Sequence, residues 1–552
     1  MRRSCGVRVY LSILIASWLL ATPSARAEEP EPRVPSAGER VIVRDGVALE
    51  ADGKNPERGK EADEREVYYV ERVDGTRIHL ASEDSRLRGW AKADDAIPLD
   101  QAIGYINGLL QARPNDATLH LWRGRVWDAR NDPEKAIADF DEALRLDPHH
   151  ALAYFERGDV RVDQADYDKA IADFDEAVRI DPGLPIAYYE RGCAWLSLDE
   201  NDKAAADFTE ALRLKPGDPY AYYHRGCAWY QKSDYDKAIA DYTEAIRLDP
   251  KDALFYTVRG ETWRQRKAYD KAIADFTEVI RLYPDDGRSY FNRGNAWRDK
   301  HEYDKAVADF TEAVRLDPDD AYSYKHRAIS WIDKHEYDKA LADFNEAIRI
   351  DPDDAFTHKC RGMIWRNKKE YDKAVVDLDA AIRIDPNDAD AYSSRGDTWA
   401  EKEEYDKAIA DYGEALRVNP LYAPAYTRRG TAWYDQGENS KALADFNEAV
   451  RLDPDDAFAY THRAWIWATA SDPDLRDGKR AVESATRGCE IENWGMPGSI
   501  CILAAALAEA GDFDAAVKRQ EEAIAALPAD DPRQEDFKAY LDLFRAGKPF
   551  HR

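Results

Sequence analysis

A proline recurs every 34 residues through most of this 552-residue chain. The prolines stand at 148, 182, 216, 250, 284, 318, 352, 386, 420 and 454, and the spacing does not slip over nine intervals. A fixed period of this length indicates a solenoid, in which each repeat buries its apolar face against its neighbours. We therefore expect a repeat array rather than one large core.

One unit, 151–184, shows what each repeat contains. Its first half, 152–163, has apolar residues at helical spacing, and its second half has one apolar stripe formed by Ala170, Phe174, Ala177 and Val178. Asp181 and Pro182 end the second helix, because proline cannot continue it. Each unit is therefore predicted to be a helix A, a turn and a helix B, which makes the repeat region all-α.

The unit that begins at Pro219 resembles a tetratricopeptide repeat. The residues that carry the resemblance are Tyr222, Gly226, Trp229, Ala238, Tyr242, Ala245 and Pro250. The resemblance implies a right-handed superhelical solenoid of helix pairs, with ten units over 117–456. The ends depart from the pattern. A half-repeat helix is expected at 99–116, an irregular unit with an insertion at 457–496, a final unit at 497–530, and a capping segment at 531–552.

The N-terminal residues 1–27 have the pattern of a secretory signal peptide. Arg2, Arg3 and Arg8 precede an apolar run at 9–21, and Ala25 and Ala27 frame a cleavage site. No later stretch is apolar enough to span a bilayer. We expect a protein exported to the periplasm or secreted, with no membrane span after cleavage and a flexible leader at 28–37.

Residues 38–98 have the pattern of short β-strands. Runs of β-branched and aromatic residues alternate with Asp-Gly pairs, which predicts a small all-β barrel. The sequence from Arg88 to Ala91 resembles the end of bacterial SH3-like domains. That resemblance implies binding to peptidoglycan or cell-wall peptides. The alternative is a structural cap for the helices that follow.

A basic residue and an acidic residue recur at fixed places in the units. Position 7 of the unit is arginine in eleven consecutive units, and position 23 is aspartate in ten. We predict a structural ladder of ion pairs, partly buried beside Trp195, Trp229 and their equivalents, because a guanidinium suits both a carboxylate and an aromatic face. Its members include Arg191, Asp207, Arg225, Asp241, Arg259 and Asp275. The alternative is that the arginines extend over apolar surface.

In tetratricopeptide arrays, positions 2, 5, 9, 12 and 13 of helix A line a concave groove. Transferred to this chain, that rule gives an aromatic section followed by a basic one: Phe155, Tyr189, Tyr223, Tyr230, Arg264, Arg288, Asn295, Arg298, Lys325, Lys359 and Arg366. Basic residues in an acidic protein are suited to an acidic segment or a C-terminal carboxylate. The alternative is an ordinary mixed polar groove.

The net charge of −29 argues against a nucleic-acid partner. No phosphate loop, nucleophile–base set or metal-ligand motif is present, so we expect neither an enzyme nor a cofactor. Cys489 and Cys501 are either a disulfide pair or small buried residues. The leading hypothesis is an extracytoplasmic scaffold that binds a protein or peptide segment. A cell-envelope anchor that grips the cell wall through 38–98 is the alternative, and an accessory module of an enzyme is the third.

Overall fold

The computed structural model describes Arg40–Val43, Val67–Asp74, Arg77–Ser82, Arg88–Lys92, 96–528 and 530–551. The predicted signal peptide and leader, and much of the predicted β-domain, lie outside these residues. The chain divides into two compact units, Met1–Asp299 and Lys300–Arg552. These are called the first unit and the second unit below, and each contains several of the 34-residue repeat units.

The first unit opens with a sheet of five short strands. They are β1 Arg40–Val43, β2 Val67–Asp74, β3 Arg77–Ser82, β4 Arg88–Lys92 and β5 Ala96–Pro98. The order is β4-β3-β2-β1-β5, and all neighbouring strands are antiparallel. Within the described residues the sheet is open, so the predicted barrel closure is corrected. The last strand is only three residues long and ends in a proline, which has no N–H to continue a ladder.

The described residues then form 26 α-helices. In the first unit these are α1 Leu99–Ala112, α2 Ala117–Ala129, α3 Pro133–Leu146, α4 Ala151–Asp163, α5 Tyr167–Ile180, α6 Pro185–Ser197, α7 Asn201–Leu214, α8 Pro219–Gln231, α9 Tyr235–Leu248, α10 Ala253–Gln265, α11 Tyr269–Leu282 and α12 Gly287–Asp299.

The second unit contains the remaining helices. They are α13 Tyr303–Leu316, α14 Ala321–Asp333, α15 Tyr337–Ile350, α16 Ala355–Asn367, α17 Tyr371–Ile384, α18 Ala389–Glu401, α19 Tyr405–Val418, α20 Ala423–Asp435, α21 Asn439–Leu452, α22 Ala457–Thr469, α23 Gly478–Ile491, α24 Pro497–Glu509, α25 Phe513–Ala526 and α26 Gln534–Arg545. The predicted all-α fold of stacked helix pairs is confirmed. The expected insertion before α23 holds a 3-10 turn, Pro473–Leu475.

Local sequence sets where these helices begin and end. Helix A often starts after an aspartate whose carboxylate accepts from the first free N–H groups, as Asp252 does from the amide of Leu254. The A–B turn passes through a left-handed residue, such as Ala165 at φ 60° or Ser233 at φ 60°. This conformation reverses the chain within a few residues, which brings helix B back along helix A.

In most hairpins, a glycine on helix A and an aromatic ring on helix B set how closely the two helices approach. A Cβ placed on Gly226 of α8 would lie 2.6 Å from Cε1 of Tyr242 on α9. Tyr242 is only 2% exposed, so the ring has filled the space that the missing side chain leaves. Equivalent rings are buried in most hairpins, and each contributes roughly 1.5–3 kcal/mol of transfer free energy. They include Phe140, Phe174, Phe208, Phe276, Phe344, Tyr412 and Phe446.

No helix in the described part of the chain is both long enough and apolar enough to cross a membrane.

Candidate interaction surface

The arginine of position 7 forms a two-pronged ion pair with the aspartate of its own helix B. In the α8–α9 hairpin, Nε of Arg225 donates to Oδ2 of Asp241 at 2.8 Å and Nη2 donates to Oδ1 at 2.7 Å. Such parallel bonds fix the orientation of both side chains. The same arrangement recurs at Arg123–Asp139, Arg157–Asp173, Arg191–Asp207, Arg259–Asp275, Arg327–Asp343, Arg361–Asp377, Arg395–Asp411 and Arg429–Asp445.

The same guanidinium also reaches the preceding hairpin. Nη1 of Arg225 donates to Oγ1 of Thr209 on α7 at 3.1 Å, and the guanidinium carbon lies 5.5 Å from the Tyr222 ring centroid. The ring over this guanidinium is thus the tyrosine of position 4, while the predicted tryptophan lies on the aspartate side in the preceding hairpin, where Trp195 hydrogen-bonds Asp207. The Trp229 ring is instead covered by Lys237 at 4.4 Å. Most of these arginines therefore tie their own helix pair to the helix B before it, whereas Arg429 faces Gly413, which has no side chain to accept such a bond.

The electrostatics of these pairs combine opposing effects. Burial lowers the pKa of Arg191 and the hydrogen bonds that it donates to Asp207 raise it, with a net upward shift. Burial also raises the pKa of Asp207, despite the arginine beside it. The upward shift at the aspartate shows that desolvation offsets much of what the pair gains. The bidentate geometry fixes how the two side chains are oriented, and with it the register between near-identical hairpins.

The predicted aromatic section lies mostly inside the hairpins. Phe155 and Tyr223 are each 7% exposed. Their ring centroids lie 5.9 Å from Phe174 and 6.1 Å from Tyr242, the aromatic residues of helix B. Position 5 therefore contributes to the core here, and Phe155 and Tyr223 are not available to a ligand.

The other two aromatic candidates are partly accessible. Tyr189 is half-buried, with its ring centroid 5.7 Å from that of Phe208. Tyr230 is half-buried beside Tyr235, at a centroid distance of 5.5 Å. Partial exposure leaves one edge of each ring on the helix A side of its hairpin.

The predicted basic section is largely neutralised by the chain itself. Lys325 on α14 pairs with Asp354 at 2.8 Å, and Lys359 on α16 pairs with Asp388 at 2.8 Å and Asp390 at 3.0 Å. These carboxylates belong to the next helix A or to its N-cap. The positive charges that were predicted to bind an acidic partner are therefore already neutralised by carboxylates of the same chain.

The remaining basic candidates have varied surroundings. Arg264 on α10 pairs with Glu261 at 2.9 Å and Asp299 at 2.8 Å. Arg366 on α16 pairs with Asp397 at 2.8 Å. On α12, Arg288 is exposed, Asn295 is buried and Arg298 is half-buried. The structure thus distributes these residues between internal ion pairs and surface positions.

Exposed apolar side chains cluster where helix A begins, a feature that sequence reasoning missed. In the second unit, Tyr322 is 62% exposed, Phe356 is 45% exposed and Phe458 is 46% exposed. All three occupy position 2 of their units, where other units carry Arg288 or Asp390. A large apolar residue at position 2, which does not belong to the core of the repeat, is the sequence feature that could have identified them.

The chain's own C-terminus covers part of the helix A side near its end. The Phe550 ring lies 5.9 Å from Trp465 and 4.6 Å from Tyr540. Trp465 of α22 is at position 9, which is a groove position, and His551 contacts Glu509 of α24 at 2.6 Å. At α22, therefore, the groove position is occupied by residues of the same chain.

The five cysteines in the described residues are free thiols. Cys489 and Cys501 are both buried, and burial raises the pKa of these thiols to about 11 and about 12. Of the two readings left open by the sequence, the structure shows small buried residues.

Comparison with known proteins places these observations in a family. Models described as tetratricopeptide repeat match residues 99–151, 128–185, 186–218, 219–252, 261–321, 291–355 and 395–457, and a model described as TPR repeat matches 362–400. A search of curated proteins found no match.

Several solved structures are also similar to parts of this chain. YrrB, described as a TPR protein with an unusual peptide-binding site, is 23% identical, with 34% of this chain and 97% of YrrB covered and a TM-score of 0.31. Yeast Tom70 is 17% identical over 72% of this chain and 96% of its own, with a TM-score of 0.34. A tetratricopeptide repeat protein from Parabacteroides merdae is 18% identical over 45% and 98%, with a TM-score of 0.35.

Proposed function

Because this chain belongs to the tetratricopeptide repeat family, we propose that it is a non-enzymatic scaffold that holds a protein or peptide segment against the helix A side of its repeats. The family and fold alone leave the partner open, so the argument rests on the residues of this surface.

One observation supports the proposal most directly. The residues that hold the hairpins together hardly change from unit to unit, as the arginine–aspartate ladder shows. Position 2 on helix A changes freely, and in successive units from 151 onward it is leucine, isoleucine, tyrosine, leucine, arginine, tyrosine, phenylalanine and aspartate. A helix A surface position that differs between units, beside pairs that stay the same, suits a binding surface, because each unit can then contact a different part of a partner.

Site-specific photo-crosslinking tests the proposal. A photoreactive amino acid replaces Met363, which is 37% exposed on helix A, or Val376, which is 68% exposed on helix B of the same hairpin. We expect a discrete crosslinked partner from position 363 and none from position 376, although the latter is more exposed. Equal crosslinking from both positions, or a partner seen from 376 alone, would contradict the proposal.

We further infer that the scaffold works outside the cytoplasm, on the basis of the signal-like pattern at 1–27. Mass spectrometry of the chain recovered from the secreted or periplasmic fraction should find an N-terminus near Glu28. Recovery of the uncleaved chain from the cytoplasm alone would refute this part of the proposal.

A further inference from the structure

Two exposed aromatic rings stand next to each other in the second unit. Nζ of Lys325 lies 4.5 Å from the centroid of the Tyr322 ring and 5.7 Å from that of Phe356. The two centroids are therefore no more than about 10 Å apart. We refer to Tyr322 and Phe356 as the aromatic rim.

The charges of the lysines beside the rim are already neutralised by ion pairs within the chain. The side chain of Lys325 is 15% exposed and that of Lys359 is 13% exposed, and both are held in ion pairs. Lys325 lies over both rings, and Lys359 lies over the Phe356 ring. Tyr322 and Phe356 nonetheless remain 62% and 45% exposed.

Carboxylates without ion-pair partners stand in the turns that lead into the helices of the rim and into the next helix A. Across the described residues, no ion pair forms at the exposed aspartates of the turns before α14, α16 and α18, which are Asp317, Asp319, Asp351, Asp353 and Asp385. Some of these carboxylates are fixed by the backbone: Oδ1 of Asp317 accepts from the amide of Asp319, and Oδ1 of Asp351 accepts from the amide of Asp353, each at 3.2 Å. Each partly exposed ring of the rim therefore follows, within five residues, a turn that carries carboxylates without ion pairs.

The chain already shows which side chain suits this combination. In the second unit, the Arg327 guanidinium lies 5.4 Å from the Tyr324 ring centroid while it donates to Asp343 at 2.6 and 2.8 Å. A guanidinium can stack on a ring and bond a carboxylate at once, because it is flat and weakly hydrated. An ammonium group is compact and strongly hydrated, so it uses the ring less well.

We propose that the aromatic rim and its aspartates bind an extended segment rich in arginine, with one guanidinium stacked on each ring. This inference rests on the proposed scaffold function and names the chemistry of its partner. An extended chain in the polyproline II conformation has three residues per turn and advances about 3.1 Å per residue. Arginines three positions apart therefore project on the same side about 9 Å apart, within the limit of about 10 Å for the two rings.

Fluorescence anisotropy with the full chain tests this inference. The probes are a labelled peptide with arginine at every third position and its lysine counterpart of equal charge. We expect the arginine peptide to bind about tenfold more tightly, which corresponds to the extra stacking of roughly 1–2 kcal/mol. The double variant Tyr322→Ala, Phe356→Ala should lose most of this preference, and Val376→Ala should bind like the unaltered chain.

Circular dichroism confirms that the variants keep their helices, which is expected because both rings are exposed. Equal affinity for the two peptides would show general acidic attraction only and would overturn the inference. An unchanged double variant, or an unaltered chain that binds neither peptide, would also overturn it. If position 363 still crosslinks a partner in that case, the scaffold function stands and only the arginine chemistry fails.

Discussion

Removal of one carboxylate from the ladder should be costly, whereas removal of a neighbouring surface carboxylate should not. Asp241→Ala leaves the guanidinium of Arg225 without its two bonds, and the two side chains are 20% and 9% exposed for the arginine and the aspartate. Breaking a fully buried pair costs about 3–5 kcal/mol. Arg225 keeps Thr209 and the Tyr222 ring and has some access to water, so we expect about 2–3 kcal/mol.

The helix supplies its own control. Glu244 pairs with Arg247 at 2.8 Å on the same helix, but the arginine and glutamate side chains are 64% and 43% exposed. Exposed pairs contribute little, so Glu244→Ala should leave the unfolding midpoint unchanged.

Urea unfolding, with hydrogen exchange of α8 and α9 to detect segmental opening, measures both variants. The double variant Arg225→Leu, Asp241→Leu should recover much of the lost free energy, because no unpaired charge remains. The reasoning would be refuted if the double variant lost as much free energy of unfolding as Asp241→Ala. Equal losses for Asp241→Ala and Glu244→Ala would also refute it.

Three further outcomes follow from the same packing. Gly226→Ala should destabilise the chain by about 1–3 kcal/mol in urea unfolding, because its Cβ would meet a buried ring at 2.6 Å, whereas Gly104→Ala, with no atom within 4 Å, should stabilise it by about 0.5–1 kcal/mol. Burial lowers the pKa of His224 to about 4, below the ordinary histidine pKa of about 6.5. The free energy of unfolding should therefore fall as the pH drops from about 6.5 toward 4. His224→Phe should remove this pH dependence from the urea midpoints measured across that range. Phe550→Ala should uncover Trp465, which quenching of tryptophan fluorescence by iodide would detect as an increased accessible fraction.

The repeat period determines most of the fold, and it does so for a physical reason. Proline follows helix B in the regular units, and in most hairpins a glycine facing an aromatic ring sets the distance between the helices, so local sequence decides both the elements and their packing. The arginines and aspartates of the ladder lie where their spacing placed them, because a bidentate pair needs only two fixed positions. Sheet closure was harder to judge, since it depends on long-range pairing that short strands specify weakly.

The groove was predicted less well than the ladder. The family rule gives positions on helix A, but it does not say whether a neighbour will bury or neutralise them. Tyr223 packs against the next helix A, at 5.8 Å from the Phe255 ring, and Lys359 meets acids of the following unit. Lys325 lies beside both Tyr322 and Phe356, which stay 62% and 45% exposed. Such contacts between units are not visible in a single repeat.

Hydrogen–deuterium exchange of the full chain, with and without the partner recovered by crosslinking, tests the central claim most directly. The account predicts slower exchange in the helices A of the second unit, above all in α14 and α16, with no change in α15 and α17. Protection confined to the helices B, or spread equally over both helices of each hairpin, would contradict it.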